Sequence, residues 1–262
     1  MMVVAIVLTT ACNKNDDEPI IEPGPNQMTM TTQYSNVSIH MAGVGTVTFD
    51  WGDKTEIKTY PLLDYNNVGW QHYNHVYSGV SAHTTTISGN GLTWFSCINT
   101  GTTQLDVSRN PELTVMSCAD NPLKSLDVSS NTQLRTLFCH GNELTDLELS
   151  KNTELRILGC FGNDLTDLDV SNNTELVTLW CYSNQLSSLN FSFNSNLYFV
   201  NCHSNLLTSE ALNALFETLH DNMFPGRIKI IYIGANPGTN DCNRSIAENK
   251  GWVVSNETVE FQ

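Results

Sequence analysis

A chain of 262 residues is long enough to bury a substantial core in one domain or two. Lys and Arg number 12 against 27 Asp and Glu, and the formal net charge of -15 argues against nucleic acid or an anionic membrane surface as a partner. Basic ligands would be drawn in, but acidity alone names none.

Residues 2–8 (MVVAIVL) are apolar, far short of the ~20 needed to span a bilayer. The run reads as the apolar region of a signal peptide ending in small residues. The segment LTTAC at 8–12 resembles a bacterial lipobox, which is cut before its cysteine and lipidated there. That resemblance implies a signal peptide over 1–11 and a lipid anchor at Cys12. The following NKNDDE resembles the acidic tether of surface-exposed Gram-negative lipoproteins. It implies an outer-membrane lipoprotein exposed at the cell surface and touching the membrane only through its anchor. The rest of 12–27 is rich in Pro and Gly and reads as a stiff linker.

Residues 28–91 carry period-two stretches such as Thr46-Val47-Thr48-Phe49, with a turn at Gly52-Asp53, and predict a small β module. The pattern Trp51-Gly52-Asp53-Lys54-Thr55, then His75-Val76-Tyr77, resembles the W-G-D-G-T … H-x-Y strands of PKD-like domains, with Lys54 in place of the usual glycine. His72 and His75 lie close together, but no carboxylate or cysteine motif accompanies them, so His75 is expected to be a hydrogen-bonded structural residue.

From residue 92 to 207 a repeat takes over. Cys97, Cys118, Cys139, Cys160, Cys181 and Cys202 are each 21 apart. Leu113, Leu134, Leu155, Leu176 and Leu197 keep the same step, as do Asn121 to Asn205 and Asn110 to Asn194. One unit cannot bury its own apolar face, whereas stacked units share a core. Alternation at Leu137 and Cys139 predicts a short inward-facing strand, stacked in parallel at ~4.8 Å. The asparagine after it sits where the chain turns and can satisfy backbone groups there. Segments such as Leu126-Asp127-Val128 alternate too and predict an extended convex side. Thr100 and Thr102 replace the usual Asn and Leu in the first unit, as an atypical end requires.

The unit LRTLFCHGNEL at 134–144 resembles the leucine-rich repeat L-x-x-L-x-L-x-x-N-x-L with cysteine in the third leucine slot. The 21-residue period with that cysteine resembles the cysteine-ladder internalins and repeat lipoproteins of anaerobes. The implied fold is an α/β-type, mostly β solenoid: a horseshoe of about six 21-residue repeats after a small β module, closed by an α/β cap. The cap is expected over 208–262. A helix over 208–222 is capped by Thr208 or Ser209, and a strand follows over 227–233. A short helix over 242–249 and a last strand over 252–254 complete it.

Eight cysteines in a secreted chain invite disulfides. Side-by-side ladder positions ~4.8 Å apart do not fit the ~3.5–4.5 Å Cβ separation of a disulfide. Free buried thiols are therefore expected, Cys242 included, and a linear stack offers no converging metal site. No motif for a cofactor or for catalysis is present, and Asp106, Asp127, Glu148 and Asp169 read as a solvated convex row.

The register places Phe138, His140, Phe161, Trp180, Tyr182, Phe199 and His203 on the outer, concave face. Gly159 would leave a gap beside Phe138 and Trp180 for a ligand group. Contiguous exposed rings mark an interaction site. With the internalin resemblance, this implies a binder of a host or environmental protein or glycan that uses no cofactor. A structural envelope protein, and an enzyme with loop-borne residues, are the alternatives.

Overall fold

The computed structural model describes residues 26–79 and 81–257. The signal peptide, Cys12 and most of the linker lie outside the described residues.

Strands β1 (Gln27–Thr32), β2 (Asn36–Gly43), β3 (Gly45–Asp50) and β4 (Lys58–Leu62) come first. Helix α1 (Tyr65–Val68) and strands β5 (Gln71–Val76) and β6 (His83–Gly89) follow. The repeats supply β7 (Leu92–Ser96), β8 (Thr102–Asp106) and five three-residue strands. These are β9 (Val115–Ser117), β10 (Thr136–Phe138), β11 (Ile157–Gly159), β12 (Thr178–Trp180) and β13 (Phe199–Asn201). The cap holds α2 (Ser209–Thr218), β14 (Lys229–Tyr232), α3 (Ser245–Glu248) and β15 (Trp252–Ser255).

Two sheets result, a five-stranded β4-β3-β6-β1-β8 and a ten-stranded β15-β14-β13-β12-β11-β10-β9-β7-β2-β5. From β7 to β15 the long sheet is parallel and in register, with Leu137 beside both Met116 and Leu158. At its N-terminal end β2 and β5 continue the same sheet in antiparallel fashion. The β module is thus two-layered, and its second layer is the beginning of the repeat sheet. Alternation drives it: Met28 and Met30, Val37, Ile39 and Met41, and Val47 and Phe49 all point into one core. Across the layers the Phe49 and Tyr73 rings lie 4.8 Å apart, and Tyr77 Oη pairs with Thr85 Oγ1 at 2.7 Å. At the junction Gly43 must be glycine, because a Cβ there would stand 2.2 Å from the Gly91 carbonyl oxygen.

The expected cysteine ladder is present. All six ladder cysteines are free and fully buried, and Cys242 is free and half-buried. Burial pushes the Cys97, Cys160 and Cys202 thiols up to about 12, so they pack as small apolar groups.

The asparagines tie rung to rung. Asn163 Nδ2 donates to the Cys160 and Phe161 carbonyls of its own turn and to the Cys139 carbonyl of the rung before. Its Oδ1 accepts the Leu144 N–H. Asn142 and Asn184 repeat the set. The second column does the same on the other side, with Asn152 Nδ2 donating to the Val128 and Asn131 carbonyls.

The convex side differs from expectation. After β8 no convex segment among the described residues pairs as a strand. Each stretch instead turns, with the acidic residue accepting the N–H two positions on: Ser129 to Asp127 Oδ1, Ser150 to Glu148 Oε1, Ser171 to Asp169 Oδ1. These bonds hold the Asp127 carboxyl below its ordinary range. The acidic row therefore caps turns.

The cap helix starts at Thr208, whose hydroxyl accepts the Ala211 N–H, and buries Leu212, Leu215 and Phe216. The cap strands are further rungs. Ile233 stands in the cysteine slot, and Asn236 bonds Asn205 N, Leu207 N and the Cys202 carbonyl as a ladder asparagine would.

Candidate functional site

In-register parallel strands put equivalent side chains close enough to touch. On the outer face of the long sheet this turns one column into a stack. His140, Phe161, Tyr182 and His203 lie face to face, with ring centroids 4.1, 4.3 and 4.4 Å apart and planes within 18°. Tyr182, between Phe161 and His203, is only 7% exposed, and His203 at the end of the stack only 5%. The register predicted both rings to face solvent, and the structure buries them instead. Burial pushes the His140 imidazole below its ordinary value, with nearby Asp120 acting in the opposite direction. His203 Nδ1 pairs with Ser204 Oγ at 2.9 Å.

The adjoining column is looser. Phe138 and Trp180 are half-buried with centroids 6.3 Å apart, and Trp180 lies 5.4 Å from Phe199, which belongs to the next column as the partner of Thr178. The gap expected at Gly159 is filled: a Cβ there would stand 2.7 Å from Phe138 Cδ1. Glycine lets the Phe138 ring lie across the neighbouring strand, leaving no vacancy for a ligand group. The ring series continues into the cap, where Tyr232 lies 5.6 Å from Phe199. Sequence reasoning missed Tyr232 because the cap breaks the 21-residue step, although Ile231-Tyr232-Ile233 keeps the in-out-in pattern.

On the N-terminal side of the strands runs a groove of about 390 Å³ lined by Val115, Thr136, Ile157 and Thr178 with Arg135, Arg156, Val177 and Tyr198. Arg135 pairs with Glu154 at 3.1 Å, and the Arg227 guanidinium lies 4.7 Å over the Tyr198 ring. The face thus offers flat rings, guanidinium groups and threonine hydroxyls side by side.

In the β module His75 is structural, as expected. Its Nε2 meets Asp53 Oδ2 at 2.7 Å, and its ring stacks on Trp51 at 4.5 Å. Burial alone would raise the Asp53 carboxyl, but hydrogen bonds from Thr55 and His75 outweigh it and hold the pKa at about 2. Among the described residues no group of three or more His, Cys, Asp and Glu could hold a metal ion, and no helix is long and apolar enough to cross a membrane.

A parallel in-register sheet with one buried cysteine and one bridging asparagine per 21-residue rung defines a leucine-rich-repeat solenoid with a cysteine ladder. Among solved structures, the chain is similar to the functional domain of InlJ from Listeria monocytogenes, which includes a cysteine ladder. Identity is 37% over 60% of this chain and 33% of that one, with a TM-score of 0.51. This chain therefore spans about a third of that structure. It is also similar to the internalin InlF of the same organism (23% identity, 54% of this chain and 40% of that one, TM-score 0.46). A leucine-rich-repeat protein of Leptospira interrogans matches at 20% identity over 50% and 33% of the two chains, TM-score 0.41. No protein-family model matches the sequence, and no curated protein matches it.

Proposed function

We propose that the chain is a cell-surface binding protein, held in the outer membrane through lipidated Cys12, that offers its concave sheet to a host or environmental protein or glycan and performs no catalysis. The observation that carries this reading is the half-buried ring series Phe138, Trp180 and Phe199 beside Phe161, on neighbouring rungs of the outer face. Aromatic surface left facing water on consecutive rungs is costly unless a partner covers it. A groove with guanidinium groups and hydroxyls beside such rings supplies both apolar contact and hydrogen bonds. The test is a protein and glycan array probed with the chain and with the double variant Trp180→Ala, Phe199→Ala. A ligand retained by the chain and lost by the folded variant supports the reading, and equal binding by both overturns it. For the anchor, Cys12→Ser should move the protein out of the membrane fraction and remove labelling by a fatty-acid probe.

A second reading, a structural envelope protein without a ligand, is favoured by the stack His140, Phe161, Tyr182, His203, whose rings cover one another. It predicts that no ligand on either array depends on Trp180 or Phe199.

A further inference from the structure

The concave face does not end at the first repeat. Along the row that floors the groove, Val115 is preceded by Trp94, its in-register partner on β7. Trp94 pairs in turn with Ala42 of β2, and Trp70 lies one step beyond the Met41–Gln71 pair on β5. Ala42 is fully buried, while the two indoles flanking it stack over it with centroids 5.2 Å apart and planes within 8°. Tyr65 of α1 adds a third ring, 5.7 Å from Trp70 and 6.5 Å from Trp94, at 20° and 14°. Trp70 remains 44% exposed and Tyr65 47%.

We infer that Tyr65, Trp70 and Trp94 form a carbohydrate-stacking platform that seats the apolar face of a neutral pyranose at the N-terminal end of the groove. The inference deepens the proposed function and rests on it, naming a glycan as the ligand. Two observations fix the occupant. Nearly parallel, offset-stacked rings, with Trp70 and Tyr65 each almost half exposed, form a stepped surface. Such a surface suits the axial C–H groups of a sugar, which meet the electron-rich ring face, whereas a protein side chain needs a cavity to fill. The platform also leads directly into the groove, where Thr136, Thr178 and Arg156 can hydrogen-bond the hydroxyls of the next sugar units. None of the three rings belongs to the buried core, so removing one costs its stacking on the other two and leaves the core intact.

The experiment uses the full chain in detergent, titrated with cellohexaose, xylohexaose and chitohexaose and followed by tryptophan fluorescence and calorimetry. At least one sugar should bind with a Kd of about 1 mM or tighter, and Trp70→Ala and Trp94→Ala should each weaken it by about tenfold or more. The variants should keep the wild-type far-ultraviolet spectrum. If none of the three sugars binds, or if binding survives in both variants, the platform is not a sugar site. Trp180→Ala separates the two readings. Binding lost there but kept in Trp70→Ala sustains the concave site and removes the platform, and the reverse sustains the platform alone. A dimer in sedimentation that dissociates in Trp70→Ala would make the rings a self-contact and overturn the inference.

Discussion

Between β9 and β13 each strand meets the next through the same set of bonds. Asn142, Asn163 and Asn184 each bridge three carbonyls and one N–H, two of these groups in the preceding rung. The N-terminal module builds the same sheet from contacts made once: the β2–β7 pairing, the Gly43 approach to Gly91, and the Asp53–His75 pair. Stability in the first region is a sum of like interfaces. In the second it depends on a few particular groups. A lesion in the ladder should therefore pass to its neighbours on both sides, and a lesion in the module should stay local.

The largest effect should come from Cys160→Asp. A carboxylate at a fully buried position without a partner costs several kcal/mol, enough to unfold the repeats. Circular dichroism and limited proteolysis should show the repeats lost, and wild-type stability would mean that the thiol does not face the core. Next, Asn163→Ala leaves the Cys139 and Cys160 carbonyls and the Leu144 N–H without their partner. It should cost about 2–4 kcal/mol in urea unfolding. Its mate in the second column, Asn152→Ala, loses bonds to Val128 and Asn131 and should cost about half as much.

Acid sharpens the comparison from the other side. Because the folded Asp53 carboxyl sits at about 2, below its ordinary value near 4, its bonds with Thr55 and His75 stabilise the module above that ordinary value. That contribution is lost as pH falls from about 4 through about 2. Hydrogen exchange should show strands β3 and β5 opening first over this window. In Asp53→Asn the module should start less stable, and this part of the pH dependence should disappear.

The smallest effect concerns the residue two places after each cysteine. It adopts positive φ in every rung, as glycine at Gly141 and Gly162 but as Asn99, Asp120, Ser183 and Ser204 elsewhere, and as Ala235 in the cap rung. Ala235, at φ 54°, lacks the side-chain oxygen that eases this conformation for Asn and Asp. Ala235→Gly should raise stability by about 1 kcal/mol, measured as a shift in the urea midpoint.

The repeat region was legible because its interfaces recur. Four columns in register named the cysteines, the leucines and both asparagine ladders, and Thr208 with Leu212, Leu215 and Phe216 marked the cap helix. The rest depends on contacts that leave no period. The continuation of the sheet into β2 and β5 joins segments about thirty to fifty-six residues apart through antiparallel backbone bonds, which carry no side-chain code. The convex stretches alternate as strands do, yet they are spaced for turns capped by Asp127, Glu148 and Asp169. On the outer face the register grouped the rings into their columns. It could not say that Tyr182 and His203 would be covered by their neighbours, or that Phe138 would lie over Gly159, because rotamers and ring tilt decide both.

Asn121 Oδ1 accepts the Thr100 and Thr102 N–H groups at one end of the ladder, and Asn236 meets Asn205 and Leu207 at the other. Each end piece therefore presents the same bonding face that an interior unit would. A gene segment encoding 21 residues, cut at any point in the unit and copied or deleted in frame, rejoins onto surfaces that already match. The length of the solenoid, and with it the reach of its outer face, can change by unequal recombination without redesign of either end.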